Sequence, residues 1–179
     1  MFNSLDHLIV AVKDLDEAEE NYSKIFGLSP IWKGEHREFG TSNCLFNFQN
    51  TYFELLSATG DGPGAALVNH HIAQCGEGLI GTVFGADDIN SVFRSLKDKG
   101  FSVADPSNGE GSNFEDKKIR KWKNLFLPPE LSRGLFSFVI QHTEGELPCP
   151  KAYKASSVKR LDHLVIQTND ADGFIKIYR

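Results

Sequence analysis

Two side chains in the first third of the chain have the chemistry of a reactive or metal-binding pair: the imidazole of His7 and the carboxylate of Glu54. Each interrupts an apolar stretch, and a carboxylate between Phe53 and Leu55 is costly to bury unless it is paired. Imidazole and carboxylate together form a common ligand set for Zn²⁺, Ni²⁺, Mn²⁺ or Fe²⁺. The pair predicts a divalent-metal site. The alternative is a His satisfied by hydrogen bonds and a Glu on a solvated face.

A basic cluster at residues 117–123 is the second group with binding chemistry. Strand alternation places Arg120 and Trp122 on the same face. A guanidinium is a planar bidentate donor, so Arg120 beside Trp122 predicts a substrate-binding position for a carboxylate or phosphate. The alternative is a solvated edge strand, because Lys residues often protect sheet edges.

Other candidates give weaker signals. His36 lies in a polar stretch, which favours solvation, and His142 ends a strand, which favours a capping or edge role. Cys44 sits in an apolar stretch and is interpreted as a core residue. No GxSxG, P-loop or GxGxxG pattern is in place, so serine hydrolase, nucleotide-binding and Rossmann chemistry have no support.

The elements that must position these residues are organised by a repeat. Leu5–Val10 (LDHLIV) returns as Leu161–Ile166 (LDHLVI), and each copy is followed at the same distance by an acidic helix start. A weaker version begins at Gly81, and shifts of 74 and 156 residues relate Asp14 to Asp88 and Asp170. Such a repeat predicts a fold built from similar modules.

The first module is predicted over residues 1–57, as strand, helix, strand, strand, strand. Its first strand places His7 and Ile9 on one face and Leu8 and Val10 on the other. Asp14 is a good helix N-cap. Three short strands follow, at 30–33, 44–48 and 52–56, and the last carries Glu54.

The rest of the chain repeats this order after a linker over residues 58–78, which contains a small helix-like patch. The second module is predicted over 79–143, with a strand at 101–104, a polar loop at 105–117 and two final strands. A second linker spans 144–159. Residues 160–179 begin a third, truncated module, and a strand with half a helix cannot bury a face alone. Either the chain is a fragment of a longer protein with four such units, or this segment docks on another unit or chain.

Composition limits the class of protein. A net charge of −5 over 179 residues disfavours a nucleic-acid partner. No apolar run approaches the ~20 residues of a membrane helix, and no signal peptide is visible. Three Cys without a CxxC pattern favour a reducing compartment. A soluble, cytoplasmic protein is therefore expected.

Several segments resemble the vicinal oxygen chelate superfamily. LDHLIVAVKDLDEAEENYSKIFGL and YFELLS are similar to its first unit, while GLIGTVFGADDINSVFRSLKDKGFSV, IRKWKN and LFSFVIQH resemble the second unit of its glyoxalase-like branch. The resemblance covers residues 5–143 and resumes at 160–179. It implies an α+β fold in which paired βαβββ modules form a cupped mixed sheet with helices on the outer face.

The resemblance also implies a site. In the superfamily a divalent metal usually sits in the cup; His7 matches the first-strand ligand and Glu54 the last-strand ligand. The second module departs from this pattern, with Gly81 aligned to His7 and with Val139 or Gln141 near the Glu54 position. Gln141, His142, His163 or waters are the ligands expected to complete the site, and Gln141 is also a candidate substrate-binding residue. The alternative is that no metal binds and the cup holds an organic ligand directly.

The first functional hypothesis is a metal-dependent lyase or isomerase acting on a small oxygen-rich substrate, with Glu54 as the catalytic group that moves the proton. The second is a protein that binds and sequesters a small molecule without catalysis. An extradiol-type dioxygenase ranks third, because it requires two His and one carboxylate on Fe²⁺. A homodimer is expected, since cup-shaped units with exposed edges often pair.

Overall fold

The structure is a computed structural model that describes residues 2–149 and 153–178. The first βαβββ module contains β1 (Ser4–Ala11), α1 (Leu15–Phe26), β2 (Trp32–His36), a 3-10 turn (Arg37–Phe39), β3 (Thr41–Asn47) and β4 (Tyr52–Ala58). A connecting helix, α2 (Pro63–Cys75), follows. The second module contains β5 (Gly78–Gly85), α3 (Ile89–Asp98), β6 (Ser107–Asn113), β7 (Ile119–Phe126), α4 (Pro129–Ser132) and β8 (Phe136–Glu144). A last helix, α5 (Ala171–Tyr178), lies in the tail.

The eight strands of the described chain form one closed mixed barrel in the order β1-β4-β3-β2-β6-β7-β8-β5. Within each module the first and last strands are parallel, β1 with β4 and β5 with β8. The modules join edge to edge through the antiparallel pairs β1–β5 and β2–β6. The predicted α+β fold of paired modules is confirmed, and closure of the barrel pairs both edges of every one of these strands.

Helices α1 and α3 cover the outside of the barrel, one on each module. Each begins at an aspartate, Asp14 or Asp88, whose side chain accepts two backbone N–H groups of the first turn. Helix α1 packs with Val10, Cys44 and Phe46 in one core cluster, while α3 builds the equivalent cluster on the second module. Cys44 is fully buried, as the sequence predicts.

Helix α2 confirms the helix-like patch predicted in the linker, but it lies on the inner side. Its Val68 is fully buried in the cluster that contains Ile9 and Phe138, and its first residues line the barrel cavity. Helix α2 therefore forms part of the cavity wall. In the described part of the chain, no helix has both the length and the apolar character needed to cross a membrane.

The strand predicted at residues 101–104 is wrong, because β6 forms later, inside the stretch predicted as a loop. Phe101 and Val103 instead pack under α3. The β6 sequence is poor in apolar residues, but Gly109 and Gly111 let Trp122 of β7 pack directly against its backbone. Interior glycines weaken a strand signal in sequence and often mark such close approaches.

The tail docks on the first module. Val158 N–H donates to Phe26 O at 2.8 Å, and Asn50 exchanges two hydrogen bonds with the backbone of Leu161. The predicted third strand is wrong: residues 161–166 belong to neither helix nor strand. Within the described chain this repeat copy has no neighbouring strand to complete its hydrogen bonds, which a strand requires.

Candidate functional site

The barrel encloses a cavity of about 320 Å³. The strand alternation read from the sequence holds: His7 and Ile9 point inward from β1, as do Tyr52 and Glu54 from β4. Residues on the opposite faces, among them Val10 of β1, pack under α1. The two candidate residues therefore share one interior space, to which β7 and β8 contribute the opposite wall.

Three side chains form a series of contacts at one end of this cavity, in which His7 and Glu54 are buried and Asp6 is partly buried. His7 Nδ1 lies 2.7 Å from Asp6 Oδ1, and His7 Nε2 lies 3.3 Å from Glu54 Oε2. The imidazole is 2% exposed and stacks on the Tyr52 ring at 4.3 Å between centroids. Asp6 thus fixes the ring, and Nε2 is the nitrogen that faces Glu54.

The electrostatics of the Asp6–His7–Glu54 contacts favour the charged forms of His7 and Glu54. Burial alone lowers the pKa of His7, but hydrogen bonds and charges from Asp6 and Glu54 outweigh it and raise the pKa above the ordinary 6.5. Burial alone raises the pKa of Glu54, yet contact with His7 brings it below 4.5. The resting site therefore favours an imidazolium between two carboxylates.

Two further polar residues support Glu54. Asn43 of β3 donates from Nδ2 to Glu54 Oε1 at 2.8 Å. The same Nδ2 lies 3.2 Å from Nε2 of His36, which accepts from it, while His36 Nδ1 contacts Thr41 Oγ1. Burial lowers the pKa of His36, so its ring is neutral at physiological pH.

The prediction of a solvated His36 is wrong. The side chain lines the cavity from the end of β2 and meets the Trp122 ring edge-on at 5.4 Å. Asn43 was not predicted at all. It lies opposite Leu56 in the β3–β4 register, two residues along β3 from the partner of Glu54, and that position becomes apparent only once the pairing is known.

Arg120 and Trp122 both point into the cavity from β7. Because β7 pairs with β6 on one side and β8 on the other, the solvated-edge interpretation of this strand is wrong. Arg120 is 6% exposed, and its guanidinium lies over the rings of Trp32 and Tyr52 at 5.5 and 5.8 Å.

The second module lines the cavity mainly with apolar side chains. A shift of 74 residues relates His7 to Gly81 and Ile9 to Val83. Since Ile9 pairs with Glu54 and Val83 pairs with Phe138, the counterpart of Glu54 is Phe138 rather than Val139 or Gln141. Its neighbours in the wall are Phe126, Phe136 and Ile140.

The residues expected to complete a metal site lie elsewhere. Gln141 is not part of the cavity wall: its amide accepts from Ile89 N–H and donates to Asp87 O, which ties β8 to the start of α3. His142 lies at the cavity rim, 3.2 Å from Asp6 Oδ2. His163 is exposed in the tail, where its ring contacts the neighbouring Asp162.

The donor set does not fit a resident divalent metal. His7 and Glu54 supply two ligands, and the second module offers Gly81 and Phe138 at the two equivalent positions. Over residues 2–149 and 153–178, no three His, Cys, Asp or Glu side chains come together as an ion site would require. A metal bound here would therefore need most of its ligands from groups other than His7 and Glu54.

A closed barrel of two βαβββ modules around one polar-and-apolar cavity defines a protein of the vicinal oxygen chelate superfamily. Residues 5–179 match the family described as "Glyoxalase-like domain", and the chain belongs to that family. No curated protein matches the sequence significantly.

Solved structures share the fold at low sequence identity. A variant of methylmalonyl-CoA epimerase from Streptomyces coelicolor, in complex with 2-nitronate-propionyl-CoA, is 23% identical with a TM-score of 0.62, over 78% of this chain and 97% of that one. A hypothetical protein from Bacillus halodurans C-125 is 19% identical with a TM-score of 0.65, over 80% and 96%. Methylmalonyl-CoA epimerase from Mycobacterium tuberculosis is 18% identical with a TM-score of 0.62, over 84% and 91%.

Proposed function

We propose that the protein is a lyase or isomerase of the glyoxalase kind, which moves a proton on a small oxygen-rich molecule held in the barrel cavity. One observation carries the proposal: partly buried Asp6 contacts the buried His7, which in turn contacts the buried Glu54 inside a cavity of ligand size. Perturbed titratable groups in a cavity are typical of functional sites. The structural neighbours of the fold include epimerases, one of them in complex with 2-nitronate-propionyl-CoA.

Glu54 is the proposed base. It is ionised in the resting site, and Asn43 holds its other oxygen, so one carboxylate oxygen faces His7 and the cavity. When Glu54 takes a proton from a carbon next to a carbonyl, negative charge moves to the substrate oxygen. His7 Nε2–H can then donate to that oxygen instead of to Glu54, so the imidazolium stabilises the new charge. Asp6 keeps the ring in position throughout.

The metal-dependent form predicted from the sequence uses the same two residues, with His7 and Glu54 as ligands. In the described chain no third His, Cys, Asp or Glu joins them in a group that could hold an ion, so the proton transfer proposed above uses protein side chains alone. Metal analysis of the purified protein tests this directly. Stoichiometric Zn, Ni, Mn or Fe that is lost in His7→Ala would support the metal-dependent mechanism. The extradiol-type alternative is weaker still, since in the described chain no second His joins His7 and Glu54 in a group that could hold an ion.

The test of proton transfer is hydrogen exchange at carbon. Wild-type protein is incubated in D₂O with a panel of 2-hydroxy and 2-oxo acids, and loss of the C–H signal is followed by NMR. Exchange is expected for at least one compound and should fall by about 10²-fold or more in Glu54→Gln. The matched control is Glu20→Gln, an exposed carboxylate on α1. Exchange that persists in Glu54→Gln would exclude Glu54 as the base.

A sequestering protein is the second candidate, and the apolar wall of the second module favours it. Phe126, Phe136 and Phe138 form one aromatic cluster with centroids 5.3–6.2 Å apart. Tight binding without any C–H exchange across the panel would support this candidate. The homodimer and the cytoplasmic location both stay predictions, the former testable by light scattering.

A further inference from the structure

Arg120 is a buried cation without a counterion. In the described chain, no carboxylate lies within ion-pair distance of it, and its Nε has no hydrogen-bond partner. Burying an unpaired guanidinium is strongly unfavourable, so such a group is retained where an anion completes it. Glu54, another buried charge of the cavity, already pairs with His7.

The aromatic rings around Arg120 hold it without neutralising it. Trp32 and Tyr52 lie under the guanidinium and favour a cation there. Burial raises the pKa of Tyr52 well above its ordinary value of 10, so Tyr52 stays a neutral phenol and cannot serve as the counterion. The planar fork of Arg120 is therefore preorganised for a ligand oxygen pair.

Two more buried polar atoms of the same cavity lack partners within the described chain. They are Asn43 Oδ1 and Asn124 Oδ1, both acceptors. Buried polar groups are normally hydrogen-bonded, so each is a place for a ligand O–H or N–H donor. The remaining surface is the aromatic wall of Phe126, Phe136 and Phe138, which suits a flat apolar group.

We propose that Arg120 binds the carboxylate of a small hydroxylated organic acid, whose apolar or aromatic part packs on the phenylalanine wall. This inference rests on the proposed function and names its substrate class. Tyr52 connects the two parts of the site, since its ring stacks on His7 and also lies under Arg120. A carboxylate at Arg120 therefore places the adjoining carbons beside the His7–Glu54 pair. The small cavity volume restricts the ligand to a compact acid.

The chain carries its own reporters for a binding experiment. It has two tryptophans, Trp32 under the guanidinium and Trp122 in the cavity wall. Fluorescence titrations with mandelate, 3-phenyllactate and lactate, each beside its neutral amide, should show quenching by at least one acid. That acid should bind about tenfold or more tightly than its amide.

Variants at the same strand test the role of Arg120. Arg120→Gln should weaken binding of the acid by about 10- to 100-fold, because a charge-assisted hydrogen bond is lost. Arg120→Lys keeps the charge without the planar fork and should give an intermediate loss, which also provides a test if Arg120→Gln fails to fold. Lys121→Gln, the outward-facing neighbour on β7, should bind as the wild type does.

Three results would overturn the proposal: none of the acids binds, acid and amide bind equally, or affinity is unchanged in both Arg120 variants. The proposed function fails separately. Glu54→Gln should keep acid binding while it abolishes C–H exchange. If acids bind through Arg120 but never exchange, the anion site is supported and the proposed enzymatic function is contradicted. If exchange occurs and is unaffected by the Arg120 variants, the enzymatic function is supported and the anion site is contradicted.

Discussion

At the residue scale, the unusual feature is a histidine held between two carboxylates inside a barrel. Each contact has a different function: Asp6 sets the ring orientation through Nδ1, while Glu54 meets Nε2 at the cavity. The hydrogen bond from Asn43 also favours an ionised Glu54. The group is stable only as a set, because removal of one charge leaves the others buried without compensation.

The trio predicts a pH window of stability. The pKa of His7 is raised in the folded protein, so its contribution is fully present below about pH 6.5 and is lost as the pH rises through the folded pKa. The pKa of Glu54 is lowered, so its contribution is present above about pH 4.5 and is lost as the pH falls through the folded pKa. From these groups, the free energy of unfolding is expected to be highest between those two values, as measured by urea unfolding across pH.

The Glu54→Gln variant tests whether this pH dependence comes from the contacts among Asp6, His7 and Glu54 rather than from the rest of the molecule. In Glu54→Gln the pKa of His7, followed by NMR, should fall, and the decline of stability above pH ~6.5 should be smaller and should end at a lower pH. Loss of one member of a buried pair should also cost about 3–5 kcal/mol. Glu20→Gln, on the solvated face of α1, should leave the His7 titration unchanged. An unchanged His7 pKa in Glu54→Gln would contradict the contact between them.

At the element scale, β6 shows how a weak strand sequence positions a side chain of the cavity wall. Gly109 pairs with Trp122 in the β6–β7 register, and a Cβ at Gly109 would lie 2.3 Å from Trp122 Nε1. The absence of a side chain on β6 is thus what allows the indole to pack closely against this strand.

The Gly109→Ala variant tests this packing. Trp122 would have to move, so the protein should lose about 1–3 kcal/mol of stability and its tryptophan fluorescence should shift. The matched control is Gly60→Ala, where the nearest heavy atom to a Cβ is 3.7 Å away. That control should stay within about 1 kcal/mol of the wild type. Equal effects in both variants would show that the close approach of Trp122 is unimportant.

The difference between regular apolar strands and a weak strand such as β6 explains which parts of the fold and the site the sequence could predict. Alternation on β1 and β4 identified the inward faces of His7 and Glu54, because both strands are apolar and regular. His36 was misplaced in part because one of its contacts, the Trp122 ring, comes from a strand 86 residues later in the chain. Partners this distant in sequence leave no periodic signal near the residue itself.

Gln141 shows the opposite limitation. Its strand was predicted correctly and its side chain is polar, so a position in the cavity was a reasonable hypothesis. The structure shows that it binds the backbone at the start of α3, on the outer side. Whether Gln141 faces the cavity or the outside depends on the register of β8 against β5, in which Phe138 lies opposite Val83. That register is set by three-dimensional packing rather than by local sequence.

At the scale of the whole molecule, the two modules keep the same fold while their inner faces have diverged. The first module contributes His7, Asn43 and Glu54, and the second contributes the aromatic wall with Arg120. Under the proposed function, the first half would do the acid–base chemistry and the second half would bind the body of the ligand. The symmetry of the barrel therefore identifies Gly81 and Phe138 as the positions of the second module equivalent to His7 and Glu54.

Placing metal-binding side chains at Gly81 and Phe138 tests whether the inner faces of the two modules are equivalent. The double variant Gly81→His, Phe138→Glu places a second imidazole–carboxylate pair at the positions equivalent to His7 and Glu54. It should bind one Zn²⁺ or Ni²⁺ per chain about tenfold or more tightly than the wild type, measured by calorimetry. Because a Cβ at Gly81 would lie 2.8 Å from the Phe136 ring, the single variant Phe138→Glu provides a less disruptive version with an intermediate gain. Adding His7→Ala to either variant should remove the gain, since the ion needs donors from both modules. Metal affinity equal to that of the wild type in both folded variants would mean that the two inner faces are not equivalent and that the register-based assignment of Phe138 is wrong.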